Sequence, residues 1–255
     1  MLDIDKIHAC NRQNFTVIIP TLNRPESLNS TLVSIMKQSL LPSVIIIIDQ
    51  SDDDLTRNTC SKYENIKYIH VKIRSITAAR NIGIRESEAL NVLFWTFLDD
   101  DVELLPDYFL NIYKMYKENE NIIGVTGWVE IPNHKSCGHV ANILRMLGCF
   151  DHYSNKVQIL PDFLATSLRK CPSEPCEVEW MPGCSMSARN LAAGNEYLDE
   201  NLILYALAED RDYSYRLYKR GVTVLCPSAK LIHKVTISSR ITPRKKTYMS
   251  VVYQY

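Results

Sequence analysis

The sequence predicts an α/β fold, a doubly wound and mostly parallel sheet with flanking helices and a small extra subregion. Three observations predict it. Short runs of β-branched and aromatic residues, "FTVIIP", "SVIIIID" and "NVLFWTFL", recur in the first part of the chain, and each ends on polar residues. Segments with apolar residues at helical spacing separate the runs. The runs are also too uniformly apolar for one face to be wet, the pattern of strands covered by helices on both sides. Strands alternating with helices in this way lie parallel.

Taken in order, "FTVIIP" (15–20) is a buried strand closed by proline. In "TLNRPESLNSTLVSIMKQS" the residues Leu28, Leu32, Ile35 and Met36 recur at helical spacing; Asn23 with Glu26 suggests a capping pair, and Pro25 suits a first turn. "SVIIIID" is a second strand ending at Asp49, and residues 65–72 give a weaker third. "ITAARNIGIRESEA" is a helix, "NVLFWTFL" a fourth strand, residues 106–120 a helix with proline in its first turn, and "IIGVTGWVEI" a strand. Residues 132–176 lose clear periodicity apart from "VANILRMLGCF" and are expected to be an insertion or long loop region. "CEVEWMPGCSMSARN" predicts a strand and a tight Pro-Gly turn. "ALAEDRDYSYRLYKRG" has an acidic start, a basic end and Gly221, which together outline a helix. "VTVLC" and "AKLIHKV" suggest two short closing strands.

Composition narrows the function classes. The chain has 255 residues, 46% hydrophobic and 23% charged, enough for a sizeable core. Its 29 Lys and Arg balance 29 Asp and Glu, so no global field draws it to nucleic acid, and a charged ligand must be met by local clusters. The opening "MLDIDKIHACNRQNF" lacks the apolar stretch of a signal peptide, and no run approaches the roughly 20 apolar residues of a membrane span, so a cytoplasmic location is expected. Eight scattered cysteines without a close pair favour reduced, buried thiols. His134, Cys137, His139, Cys171 and Cys176 contain zinc-ligand types, but their spacings fit no paired zinc pattern, and surface loops are the better reading.

Ligands of doubly wound sheets bind outside the carboxyl ends of the strands. Thr21, Asn23 and Arg24, then Asp49 and Ser51, then Asp99, Asp100 and Asp101 all stand at such ends and should converge on one crevice. In extended chain Asp99 and Asp101 project to one side and Asp100 to the other. Two carboxylates about 5 Å apart repel by roughly 3 kcal/mol at an effective dielectric near 20, a cost that a divalent cation such as Mg2+ or Mn2+ would remove. An acidic turn pointing into water is the plain alternative. Asp49 could accept from the N–H edge of a base or belong to a turn, and Arg80 and Asn81 could meet phosphate or ribose or lie on an exposed helix face. Glu209 and Asp210 suit a first helical turn on dipole grounds alone, yet a carboxylate at a helix mouth facing the crevice is also well placed as a general base. His233, alone in a short strand, reads first as a packed or surface histidine.

Seven ordered pieces then resemble the family 2 glycosyltransferases, inverting enzymes of the Rossmann-like GT-A fold: "VIIPTLNRPESLNSTLVSIMKQS", "VIIIIDQSDD", "AARNIGI", "FLDDDVELLPDYF", "MPGCSMSARN", "AEDRDYSYRLYKRG" and the histidine of "LIHK". The resemblance implies one domain over residues 14–236. Within it, 14–130 would form a nucleotide-binding half, 131–176 an insertion near the acceptor, and 177–236 an acceptor and catalytic half, with a basic, aromatic tail over 237–255. By it, Pro20, Thr21, Asn23 and Arg24 would line the nucleotide pocket, Asp49 would contact the base, and Arg80 with Asn81 would reach toward the nucleotide. Asp99, Asp100 and Asp101 would be the DxD-type motif, with Asp99, Asp101 and His233 on a divalent metal, Mn2+ or Mg2+. Gly183, Arg189 and Glu209 would shape the donor-sugar and acceptor side, and Asp210 would be the catalytic base.

The implied reaction moves a sugar from a nucleotide-diphosphate sugar to a hydroxyl of a glycan or lipid-linked acceptor. The implied setting is bacterial surface polysaccharide synthesis at the inner face of the plasma membrane, with peripheral membrane contact and no oligomeric state specified. Two rival classes stand beside it. "FLDDDV" also fits the DxDxV nucleophile of haloacid dehalogenase-type phosphatases, although that motif belongs on the first strand of its domain. A non-catalytic nucleotide-sugar binding module would keep the crevice and turn nothing over.

Overall fold

The structure is a computed structural model that describes residues 12–132, 154–160, 165–190, 196–202 and 208–234. Its strands are β1 (Arg12–Thr21), β2 (Leu41–Asp49), β3 (Ile66–His70), β4 (Phe94–Phe97), β5 (Val102–Leu104), β6 (Ile122–Glu130), β7 (Cys176–Glu177), β8 (Met186–Arg189) and β9 (Val222–His233). The helices are α1 (Pro25–Met36), α2 (Leu55–Cys60), α3 (Ile76–Ala89), α4 (Tyr108–Glu118) and α5 (Glu209–Tyr218), with a 3-10 turn at Gly183–Ser185. Among the described residues no helix is long and apolar enough to cross a membrane.

The strands form one sheet in the order β3-β2-β1-β4-β8-β6-β9-β5, with β7 beside β9. The first four are parallel, as expected for strands joined through helices. Beyond them the sheet is mixed, because β8 enters antiparallel between β4 and β6, and β5 and β7 pair antiparallel with β9. The two expected closing strands are one, β9, parallel to β6, with a register shift between Gly127 and Trp128. Pro20 lies past the last β4 pairing at Ile18, where a strand can dispense with an N–H.

Alternating residues sort the core onto two faces. Phe15, Val17 and Ile19 of β1 meet Leu28, Leu32 and Ile35 of α1 and Phe109 and Ile112 of α4. Ile18, with Trp95 and Phe97 of β4, faces Ala79 and Ile84 of α3 and Tyr213 and Leu217 of α5. Doubly wound packing follows. α3 comes close to β1 at Gly83, where a Cβ would stand 2.2 Å from Ile18 Cγ2, and Ser75 caps its start by accepting from the Ala78 N–H at 3.3 Å. These contacts set the depth and direction from which Arg80 enters the sheet's carboxyl edge.

Some local expectations change. Asn23 does not cap α1: its backbone lies in the left-handed region (φ 54°), its N–H donates to Ser51 Oγ at 2.8 Å, and its Oδ1 accepts from the Asp52 N–H at 3.2 Å. It therefore joins the β1 loop to the β2 loop. In the expected insertion, Val157 bridges to Val178 and Ile159 to Ala165. His134, Cys137, His139, "VANILRMLGCF" and the tail 237–255 lie outside the described residues.

Candidate active site

Asp99, Asp100 and Asp101 form a turn between β4 and β5, at the carboxyl edge of the parallel strands. α1 fixes that turn through a buried hydroxyl: Thr31 Oγ1 donates to the carbonyls of Asp100 at 3.0 Å and Val102 at 2.8 Å. A polar residue inside the apolar face of α1 was the sequence signal for Thr31, and it was missed. From β9, the Lys234 N–H donates to the Asp101 carbonyl at 2.9 Å, and His233 pairs with Val102.

The turn does not keep the alternation of an extended strand, because Arg24 reaches both Asp100 and Asp101. Asp100 is fully buried; its Oδ2 accepts from Thr21 Oγ1 at 2.6 Å, and its Oδ1 is 2.7 Å from Arg24 Nη2. Burial pushes the Asp100 carboxyl up to about 7 against the opposing pull of Arg24 and Thr21. Asp101 Oδ2 lies 3.2 Å from Arg24 Nη1, so one guanidinium clamps both residues. On the other side, His233 Nε2 lies 3.0 Å from Asp101 Oδ1 and 3.8 Å from Asp99 Oδ2.

The carboxylate oxygens suit Mn2+ or Mg2+, while the imidazole is a donor that later transition metals favour. An octahedral ion with bonds of about 2.0–2.1 Å keeps neighbouring donors about 3 Å apart, close to the Asp101–His233 spacing. His233 thus stands between Asp101 and Asp99, whose carboxylates would have to close in on it to share a divalent cation. Cys184, which the sequence reading passed over, completes a group with Asp99 and His233 whose ligand atoms lie within 4.8 Å of one another. Its signal was adjacency to Gly183. Burial, with Asp99 and Asp210 nearby, pushes the Cys184 thiol well above its ordinary value.

Arg80 does not extend toward open space. It is 1% exposed, with Nη1 2.8 Å from Glu209 Oε1 and Nη2 3.1 Å from Asp99 Oδ1, and it lies over the Phe97 ring. Two carboxylates compensate the cost of burying this cation. Glu209, at the start of α5, is nonetheless pushed up to about 8, because burial and the adjacent Asp210 outweigh the attraction of Arg80. Asp210 beside it accepts from the Gly183 N–H at 3.2 Å and from the Arg211 N–H at 2.9 Å. A Cβ at Gly183 would stand 2.7 Å from Arg80 Nη2, so a side chain there would have to displace the guanidinium.

Three expected site residues turn elsewhere. Asn81 follows Arg80 on α3 but points away from the carboxylates, its Nδ2 donating to the Leu198 carbonyl at 2.9 Å and to Glu200 Oε1 at 2.8 Å, while its Oδ1 accepts from the Leu198 N–H at 2.8 Å. Arg189 lies at the far edge of the sheet, because β8 runs antiparallel to β4 and pairs Arg189 with Phe94 at that strand's start. There it donates to the carbonyls of Ile122, Tyr116 and Asn119. Asp49 is fully buried; its Oδ2 accepts from the Tyr68 hydroxyl at 2.7 Å and its Oδ1 from the Ser51 N–H at 3.0 Å. Its carboxylate ties the turn at Ser51 to Tyr68 of β3.

Asp99, Asp100, Asp101, Glu209 and Asp210 thus gather five carboxylates against the guanidinium groups of Arg24 and Arg80 at one sheet edge. Such a site attracts a cation and offers a proton acceptor a short distance away. Asp99 follows the fourth strand rather than the first, which is not the setting of a dehalogenase-type nucleophile.

A family model described as glycosyl transferase family 2 matches residues 16–165. The chain is 33% identical over 127 residues to an uncharacterized glycosyltransferase of Rickettsia conorii, covering 48% of this chain and 20% of that protein. It is 35% identical over 121 residues to the poly(ribitol-phosphate) beta-N-acetylglucosaminyltransferase TarP of Staphylococcus aureus, covering 44% of this chain and 36% of TarP. The chain therefore spans about a fifth to a third of the length of these curated relatives. Among solved structures, GalNAc-T7 with UDP, GalNAc and Mn2+ superposes with a TM-score of 0.68 at 16% identity, over 94% of this chain and 48% of that one. That likeness shows a GT-A fold.

Proposed function

The chain belongs to glycosyl transferase family 2, and from that premise we propose that it is an inverting glycosyltransferase. It moves a sugar from a nucleotide-diphosphate sugar to a hydroxyl of a glycan or lipid-linked acceptor. The observation that carries this reading is the joining of two carboxylate groups by one buried cation: Arg80 links Asp99, beside His233 and Asp101, to Glu209, beside Asp210. A cation-binding centre and a proton acceptor then face one crevice.

In this reading Pro20, Thr21, Asn23 and Arg24 line the nucleotide side, and Asp49 supports the base from below through Tyr68 and Ser51. Asp99, Asp101 and His233 would hold a divalent cation, Mn2+ or Mg2+, which would supply neutralisation of the charge on the departing diphosphate. Asp210 accepts the acceptor hydroxyl's proton while that oxygen bonds to the anomeric carbon and the bond to the diphosphate breaks. The Gly183 and Arg211 N–H groups keep the Asp210 carboxylate oriented toward the crevice. Glu209 is engaged by Arg80, which leaves Asp210 as the acceptor of the pair.

The proposed setting is surface polysaccharide synthesis at the inner face of the membrane; the name of the relative TarP, a poly(ribitol-phosphate) beta-N-acetylglucosaminyltransferase, supports a polymeric acceptor. Thermal unfolding with a panel of nucleoside diphosphates and their sugars, with and without Mn2+, tests the reading. A ligand at about 100 times its Kd adds roughly 2.7 kcal/mol of stability, so one base should raise the Tm only when metal is present. No rise with any nucleotide plus metal would overturn it.

A further inference from the structure

The crevice holds a donor that this transfer leaves unused. The ligand atoms of Asp99, Cys184 and His233 lie within 4.8 Å of one another. On a tetrahedral ion with bonds of about 2.0–2.3 Å, donors stand about 3.3–3.8 Å apart, so the three need close in by only about 1 Å. Asp101 Oδ1 pairs with His233 Nε2 at 3.0 Å and stands outside the three-residue group, so the fourth position is left to water. Access is graded: Asp99 and His233 are partly exposed, while Cys184 is buried on the inner side. An ion entering from the crevice meets carboxylate and imidazole first and sulfur last.

Mn2+ and Mg2+ favour oxygen and gain little from a thiol, whereas softer ions select sulfur. We propose that this centre also binds a thiophilic divalent cation of the zinc and cadmium class through Asp99, Cys184 and His233, with water in the fourth position. On binding, the Sγ–H bond of Cys184 breaks, its proton passes to solvent, and the sulfur's electron pair forms the bond to the ion; nothing is oxidised or reduced. The inference rests on the reading above in one respect, that Asp99 and His233 are metal ligands. Because the same side chains are used, the thiophilic ion and the oxygen-ligated one exclude each other, and a bound thiophilic ion blocks the donor's diphosphate.

Cadmium titration of the metal-free full chain, followed by the ultraviolet sulfur-to-cadmium charge-transfer band, tests this. The wild type should show a saturable component of one equivalent. Cys184→Ser should lose that component and weaken Cd2+ binding about tenfold or more, because a hydroxyl is a poor ligand for a soft ion, while still binding Mn2+ and keeping its circular dichroism. His233→Asn removes no sulfur, yet should weaken the same component, which ties the sulfur to this centre rather than to another cysteine. Cys184→Ala provides the same comparison if the serine variant fails to fold. A band retained at full strength in either cysteine variant, or unchanged in His233→Asn, overturns the proposal. A wild-type Cd2+ band without any Mn2+-dependent nucleotide binding would instead count against the transferase reading alone.

Discussion

Arg80 and Glu209, 129 positions apart in the chain, meet at 2.8 Å in the interior of the crevice. The same guanidinium reaches Asp99 at 3.1 Å, so a single side chain of α3 ties the turn after β4 to the first turn of α5. The two halves of the proposed site are thereby joined by charge as well as by the sheet beneath them.

Removing that cation should be costly. Arg80→Met keeps much of the side chain's volume but leaves two carboxylates without their shared partner. Breaking a buried pair from one side costs about 3–5 kcal/mol. Urea denaturation should show a loss near the lower figure, since Asp99 is partly exposed; a loss below about 1 kcal/mol would mean that the bridge contributes little.

Gly183→Ala approaches the same bridge from the opposite side. The added Cβ would stand 2.7 and 2.8 Å from the two terminal nitrogens of Arg80, which are themselves held by Glu209 and Asp99. Overpacking of this kind costs about 1–3 kcal/mol. Transfer should fall with stability here, because the backbone N–H of Gly183 also bonds Asp210; an unchanged rate and an unchanged Tm would show that Arg80 moves aside freely.

Glu209 should make the metal-free protein less stable as pH rises. Burial raises its pKa from an ordinary 4.5 to about 8, so between those values the folded chain keeps a proton that the unfolded chain releases. Its contribution is complete below about pH 4.5 and is lost progressively toward pH 8. Scanning calorimetry across that window should show a falling Tm, and Glu209→Gln should flatten the decline. An equally steep decline in the variant would assign it to other groups.

Much of this site could be read from residue order, and the failures have physical causes. The strand ends at Thr21 and Asp49 and the triplet at Asp99 stand out because a run of apolar residues must stop where the sheet meets water. β5 did not, since the three residues "VEL" carry no period, and α2 was hidden in the polar stretch after Asp49. Alternation along β8 says which residues share a face but not which way the strand runs, so nothing local opposed the donor-sugar and acceptor side that the resemblance implied for Arg189, whereas the strand carries it to the opposite edge. Asn81 was misjudged for a similar reason: a helix carries neighbouring residues to different sides, and only packing against residues 198–200 reveals which. Thr31 and Cys184 depend on partners 69 and 49 or more positions away in the chain, which no local pattern discloses.

Asp210→Asn should separate binding from chemistry. The amide keeps the size of the carboxylate and can still accept from Gly183 or Arg211, but it cannot take a proton. A positioned general base contributes about 100- to 10,000-fold, so transfer to an acceptor should drop by that order while Mn2+-dependent nucleotide binding is retained. Rates near wild type with a competent acceptor would remove Asp210 from the mechanism.

Arg189→Met tests the far edge of the sheet. Arg189 donates to the carbonyls of Tyr116 at 2.7 Å and Asn119 at 3.2 Å, at the carboxyl end of α4, and to that of Ile122 at 2.8 Å where β6 begins. The last carbonyls of a helix lack partners within it, and a cation there also meets the negative end of the helix dipole. The substitution leaves three carbonyls to find other donors and removes the charge stacked on Tyr116. Hydrogen bonds to a charged group contribute about 1.5–3 kcal/mol each before water replaces them at this partly exposed position, so a net loss of about 1–3 kcal/mol in urea denaturation is expected. The metal-dependent affinity for the nucleotide should be unchanged, because β8 carries Arg189 to the end of the sheet opposite Asp99. If the variant unfolds at the wild-type midpoint but binds donor more weakly, the antiparallel direction of β8 is wrong and Arg189 returns to the crevice where the sequence had put it.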